Sequence, residues 1–278
     1  MPLLALVLAA AAVAVPSSSS TKAKPNVLFL IADDMRPWLG AYGDADAASP
    51  NLDALAARSL LFNRSYVQQA VCGPSRISFL TSRRPDTTRL YDFKSYWRIH
   101  AGNFTTMPEA FKSAGYESRS FGKVFHPGPP SGGKVAPKHF SWVDDEPAHT
   151  ANDWPFSWSA PPFLPSAQTD KNSPTCNASV AQQQGNSSAR FSNIYCPVDP
   201  KLEPQGTLPD MQTTEAVLTF VRSRDWASAP PLFAAVGFHK PHVPLKFPIE
   251  CAALQPPSCP ILLSADALLE CNATGTST

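Results

Sequence analysis

Several residues in this sequence have the types and spacing that chemistry requires. Asp33 and Asp34 are adjacent carboxylates directly after an apolar run. Two such acids repel each other unless something positive sits between them, and a hard cation such as Ca²⁺ or Mg²⁺ supplies that through oxygen ligands. The alternative is a pair of solvated or helix-capping acids. The segment Val71-Cys72-Gly73-Pro74-Ser75-Arg76 sets a thiol just before a helix start. There it faces unpaired backbone N–H groups and the positive end of the helix dipole, and Arg76 adds a fixed charge within the first turn. That combination suits a nucleophile attacking a tetrahedral oxyanion. The Cys-to-Arg spacing is shorter than a Cys-dependent phosphatase loop needs, and a buried structural cysteine is the other reading. Lys123 and His126 follow a predicted strand, and His239 follows a later apolar run. Singly, each has an ordinary explanation: surface charge, a loop histidine beside Pro127, a strand cap.

The elements that must position these residues read as alternating strands and helices. Asn26-Val-Leu-Phe-Leu-Ile-Ala32 is a continuous apolar run ending in Asp33-Asp34, which predicts a strand buried on both faces, as in a parallel sheet. Ser49-Pro-Asn-Leu-Asp-Ala-Leu-Ala-Ala57 predicts a helix with Leu52, Leu55 and Ala56 on one face, and Gly73-Pro74 opens a second helix through Leu80. Thr106-Met-Pro-Glu109 fits a capping box and Gly115 suits the helix end. Tyr116 to Phe121 predicts a strand leading into Gly122-Lys123. The stretch from Pro127 to Pro209 is rich in Pro, Ser and Asn, carries Trp142, Trp154 and Trp158, and reads as an irregular excursion from the sheet. Asp210 to Arg224 has helical spacing, and Leu232 to Gly237 is a further apolar strand ending in Phe238-His239-Lys240-Pro241-His242. The fold class is therefore α/β, with a mostly parallel central sheet flanked by helices. Such sheets bind ligands at the carboxyl ends of their strands, where Asp33, Asp34, Lys123, His126 and His239 all fall.

Cys72-Gly-Pro-Ser-Arg76 resembles the sulfatase motif, Cys-x-Pro-Ser-Arg, in which the cysteine is oxidised to formylglycine. Asn26 to Asp34 looks like that family's first strand and metal pair, and Ser49 to Ala56 like its first helix. Further runs match one branch acting on sulfated sugars: Gln69 to Arg76, Arg84 to Asp92, Ser95 to Arg98, His100 to Phe104, Gly122 to Gly128, Cys196 to Asp199 and Phe238 to His242. The likeness covers Lys24 to about Pro248 and implies an alkaline-phosphatase-like sulfatase fold. It implies that Asp33, Asp34 and the formylglycine made from Cys72 ligate one Ca²⁺. One hydroxyl of the hydrated aldehyde attacks sulfur and displaces the alcohol; deprotonation of the other then expels sulfate. By the same likeness Arg76 orients the formylglycine, Lys123 contacts the sulfate, His126 assists sulfate release, and His239 binds sulfate or helps protonate the leaving oxygen. Lys240 and His242 belong to the same run and receive no role. A formylglycine-generating enzyme is implied as a maturation partner, and a sulfated saccharide as substrate. Ser82 stands where the family often carries Gly.

The formal charge of +1 gives no global pull toward nucleic acid or an anionic membrane, so anion recognition must be local. Residues 1–20, an Ala/Leu/Val run followed by Pro16 and four serines, read as a signal peptide, and no other membrane span is expected. Glycosylation sequons occur at Asn63, Asn103, Asn177, Asn186 and Asn272. Cys176 and Cys196 bracket a polar loop and suit a disulfide in an oxidising compartment. The expected destination is the secretory pathway, lysosomal or extracellular. The expected organisation is a catalytic domain over 24–248 and a divergent tail over 249–278. The family's late Asp-His-Gly segment and the lysine after it have no counterpart here, so weak Ca²⁺ binding and poor hydrolysis are expected of these 278 residues. Two other readings stay open: a non-catalytic secreted glycoprotein that binds sulfated glycans, and a phosphonate or phosphate ester hydrolase of the same superfamily.

Overall fold

The computed structural model describes residues 23–132, 152–171 and 196–254, with two short backbone pairs at 176–177 and 190–191. The leader, Trp142, Asn186, Asn272 and most of the tail lie outside the described residues, as do the side chains of Cys176 and Cys196.

In chain order the regular elements are β1 (Val27–Asp33), α1 (Pro50–Ala56), α2 (Cys72–Thr81), α3 (Pro85–Thr88), α4 (Trp97–His100), α5 (Met107–Ser113), β2 (Glu117–Gly122), β3 (Cys176–Asn177), β4 (Arg190–Phe191), β5 (Cys196–Val198), α6 (Pro209–Ser223), β6 (Leu232–Pro241) and β7 (Lys246–Pro248). The main sheet is parallel with order β1-β6-β2, so the last long strand is its centre. That is the α/β arrangement read from alternating strands and helices. Two small pairs accompany it: β3 with β4 antiparallel and β5 with β7 parallel.

Local chemistry explains the elements near the site. Thr106 accepts from the Glu109 N–H at 3.2 Å while Glu109 accepts from the Thr106 N–H, a complete capping box for α5. Gly115 follows in a left-handed conformation, φ 84°. Helix α2 begins at Cys72 itself, with Val71 as its extended N-cap, and stops at Ser82, φ 55°. Phe233 and Ala235 of the central strand pack with Ile77 and Leu80 of α2 and with Trp97, Phe125 and Trp158 in one apolar core. Phe111 of α5 stacks on Phe233 with ring centroids 4.4 Å apart. Trp158 shows that the irregular excursion contributes to that core.

Two expectations change. Strand β1 is not buried on both faces: Leu28 and Leu30 are 59% and 49% exposed. Among the described residues it pairs with β6 alone, and its side chains alternate between a face that meets the core and one that lies open. Helix α1 buries no residue, and Leu52 and Leu55 are exposed despite their shared face.

Candidate active site

The carboxyl ends of β1 and β2 flank the carboxyl end of β6. Gly237 is level with both Ile31 of β1 and Gly122 of β2, and the Lys123 N–H donates to the Gly237 carbonyl at 2.8 Å. The backbones approach so closely here that a Cβ on Gly237 would collide with the Lys123 carbonyl, and one on Gly122 with the Gly237 carbonyl. Glycine at both positions therefore lets Lys123 come level with the end of β1. The register shifts between Ala32 and Asp33, which pair with Phe238 and Pro241, so that His239 and Lys240 of β6 bulge opposite the first acid.

Asp33 is buried and accepts from Arg76 Nη2 at 2.6 Å through Oδ1, while Lys123 donates to Oδ2. Burial raises its pKa, but the two cations outweigh that and hold it at about 2. Arg76 lies four residues into α2 from Cys72, on the same face, and also donates to the carbonyls of Lys123 and, at 2.8 Å, Val124. One guanidinium thus ties β1, α2 and the turn after β2 together. Asp34 adopts a left-handed φ of 58° and is exposed; its Oδ1 lies 3.5 Å from Cys72 Sγ. Burial pushes the Cys72 thiol up, and Asp33 and Asp34 add to the shift against the opposing pull of Lys123.

His126 is buried, its Nδ1 2.7 Å from the Pro127 carbonyl and its ring 4.6 Å from that of Phe93. Burial, aided by Lys123, depresses its pKa to about 3. His239 is also buried and depressed to about 2, by burial and then by Lys123 and other nearby cations. Its N–H and that of Lys240 donate to Asp210 of α6 at 2.6 and 2.9 Å, which anchors the end of β6 on that helix. Both imidazoles are neutral at neutral pH.

Asp33, Asp34, Cys72, Arg76 and Lys123 come together directly. His239 joins them through His242, whose ring lies 4.7 Å away and whose Nε2 is 3.7 Å from Asp34 Oδ2. Candidate ligand atoms of Asp33, Asp34, Cys72 and His242 lie within 4.8 Å of one another. Sequence reasoning gave His242 no role; its signal was its place three residues after His239 in one run. It also missed Lys171, a buried lysine whose pKa is depressed to about 8 by burial and then by Lys123 and Lys240. Lys171 sits in the irregular excursion, where no periodicity marks it.

The parallel sheet flanked by helices, with polar residues at its carboxyl edge, is an α/β unit of the alkaline-phosphatase-like kind. The phosphonate monoester hydrolase of Agrobacterium radiobacter shares this fold, with a TM-score of 0.56 at 23% identity over 84% of this chain and 44% of that one. Residues 25–258 match the Sulfatase family, and the chain belongs to it. It is 48% identical over 256 residues to iduronate 2-sulfatase of Homo sapiens, covering 91% of this chain and 42% of that protein. The Mus musculus iduronate 2-sulfatase is also 48% identical, over 83% of this chain and 37% of its own length. N-acetylgalactosamine-6-sulfatase of Sus scrofa is 37% identical over 147 residues. The chain thus spans less than half the length of these curated relatives.

Proposed function

We propose that this protein carries the nucleophile and first metal-binding half of a sulfuric ester hydrolase acting on a sulfated sugar, in the manner of an iduronate 2-sulfatase. The observation that carries the reading is the convergence of Asp33, Asp34 and Cys72 within 4.8 Å, beside Arg76 and Lys123. The 48% identity to iduronate 2-sulfatases over most of the chain supports the choice of sulfate over phosphonate.

Asp33 and Asp34 supply the hard oxygen donors that Ca²⁺ takes, so the residues fit that ion, with formylglycine from Cys72 as a third ligand. When bound, the ion would stabilise charge on sulfate oxygens, and the formylglycine hydrate would supply the attacking hydroxyl. Arg76 fixes the α2 terminus on Asp33 and balances its charge. Lys123 is positioned to shift from Asp33 to an incoming sulfate oxygen. His239, neutral in a buried site, would gain a proton only with an anion beside it, and then serve the leaving oxygen. His126 would take up the proton released when sulfate departs. The maturation partner is a formylglycine-generating enzyme. Asn63 and Asn103 are exposed, which supports a glycoprotein of the secretory pathway, lysosomal or extracellular. No helix among the described residues is long and apolar enough to cross a membrane.

Co-expression with a formylglycine-generating enzyme tests this, followed by mass analysis of the Cys72 peptide and assay with a fluorogenic uronate sulfate and a matched phosphonate monoester. Aldehyde at position 72 with preference for the sulfate is expected. A thiol left unconverted under those conditions, or preference for the phosphonate, overturns the reading. One observation favours a non-catalytic sulfoglycan-binding reading: both Asp33 oxygens already face cations. Binding of a sulfated glycan by a chain whose Cys72 stays an unconverted thiol would select it.

A further inference from the structure

We propose that, while Cys72 remains a thiol, the protein binds a zinc-class ion through Cys72, His242 and Asp34, with Asp33 as the fourth ligand. The inference rests on the assignment of these acids and Cys72 to one metal centre, as above, but not on sulfate chemistry.

The spacing is the first argument. A tetrahedral ion with bonds of about 2.0–2.3 Å holds its ligand atoms about 3.3–3.8 Å apart. Cys72 Sγ lies 3.5 Å from one Asp34 oxygen, Oδ1, and His242 Nε2 lies 3.7 Å from the other, Oδ2, so the carboxylate stands between the two side chains and a small inward shift of either would bring it onto a shared ion. All four residues offer a donor atom within 4.8 Å of the others. The second argument is the tautomer. His242 Nδ1 is 2.6 Å from the Val243 carbonyl, which makes Nδ1 the N–H donor. In the neutral ring Nε2 is then the lone-pair nitrogen, and it faces Asp34 Oδ2 at 3.7 Å, beyond hydrogen-bond distance. A metal-binding histidine has this arrangement: one ring nitrogen bound to a backbone carbonyl, the other turned to the ion. A cation between Nε2 and Asp34 would turn a repulsive contact into two bonds. Asp33 keeps Arg76 on Oδ1 and exchanges Lys123 for the ion on Oδ2.

The donor set then decides the ion. Thiolate and imidazole favour Zn²⁺, whereas Ca²⁺ takes only oxygens. Replacing the Cys72 sulfur with formylglycine oxygens removes the sulfur preference, so the ion held would report the processing state of residue 72.

The full chain, produced without the maturation enzyme and checked by peptide mass to hold a Cys72 thiol, is titrated with Co²⁺ and then with Zn²⁺. One equivalent of cobalt should give tetrahedral visible bands and a near-ultraviolet sulfur-to-cobalt band, both abolished by zinc. Cys72→Ser should lose the sulfur band. His242→Ala should weaken zinc binding by at least about tenfold, while His100→Ala, on the exposed end of α4, should leave it unchanged. His242→Gln serves if circular dichroism shows the alanine variant unfolded. Cobalt binding without a sulfur band, no stoichiometric binding, or zinc affinity indifferent to Cys72 or His242 overturns the proposal. Ca²⁺ binding by the processed chain, measured separately, bears on the sulfatase reading alone.

Discussion

Arg76 Nη2 and Asp33 Oδ1 meet at 2.6 Å with their side chains 3% and 4% exposed, and this buried ion pair joins the helix that begins at Cys72 to the first strand. Removing one partner of such a pair strands a charge out of water, at a cost of about 3–5 kcal/mol. Lys123 still faces Asp33, so Arg76→Ala should fall near the lower end, about 3 kcal/mol, measured by urea unfolding. Arg76→Lys should cost less than Arg76→Ala, because a point charge can reach Asp33 but cannot also satisfy both carbonyls.

Acid should destabilise the fold in two stages. His126 has a folded pKa of about 3, below its ordinary 6.5, so the unfolded chain takes up its proton first. Its stabilising contribution is full above about pH 6.5 and is lost as pH falls toward 3. His239, depressed to about 2, acts in the same direction. Asp33 shifts from 3.8 to about 2, so its contribution is present above about 3.8 and lost as pH falls through 2; it amounts to about 2 kcal/mol. Tm measured from pH 7.5 to 4 should decline, and His126→Phe, which keeps a ring against Phe93, should flatten the decline.

Ser82 ends α2 with a left-handed φ of 55°, a conformation that costs an L-residue more than glycine. Ser82→Gly should raise stability by about 0.5–1 kcal/mol, after allowance for the extra freedom glycine gives the unfolded chain. Thermal unfolding would reveal it, and a fall in Tm would contradict the backbone argument. The same substitution brings this position to the residue the family often carries there.

Gly237→Ala should be among the most damaging small changes in the sheet. The added methyl meets the Lys123 carbonyl, which is backbone and cannot rotate aside. We expect a loss of about 3 kcal/mol and, because Lys123 moves with that carbonyl, a weaker Asp33 shift visible by carboxylate NMR titration.

The ends of β1 and β6 were legible because an apolar strand stops where charge begins; Asp33 and the His239-Lys240 pair mark two such stops. The capping box at Thr106 was legible because its reciprocal hydrogen bonds need particular side chains at a fixed spacing. Cys72 and Arg76 were legible by their offset along one helix face. The exposed face of β1 was not, because a strand covered on one face and a strand covered on both can share the same apolar composition, and what covers β1 depends on segments distant in the chain. His242 and Lys171 escaped for a related reason. Their approach to the centre depends on where a turn after β6 and an irregular segment fold back, and neither carries a repeating pattern.

Since β6 hydrogen-bonds to β1 on one side and β2 on the other, the Asp33–Lys123 contact bridges two strands that never touch each other. A slip of β6 by one residue, about 3.3 Å, would carry its neighbours' termini out of step and turn alternate side chains to the opposite face. No partly zipped sheet can hold a working half of this centre. Metal affinity and resistance to proteases should therefore appear together during refolding, as one cooperative event timed by the docking of the last long strand.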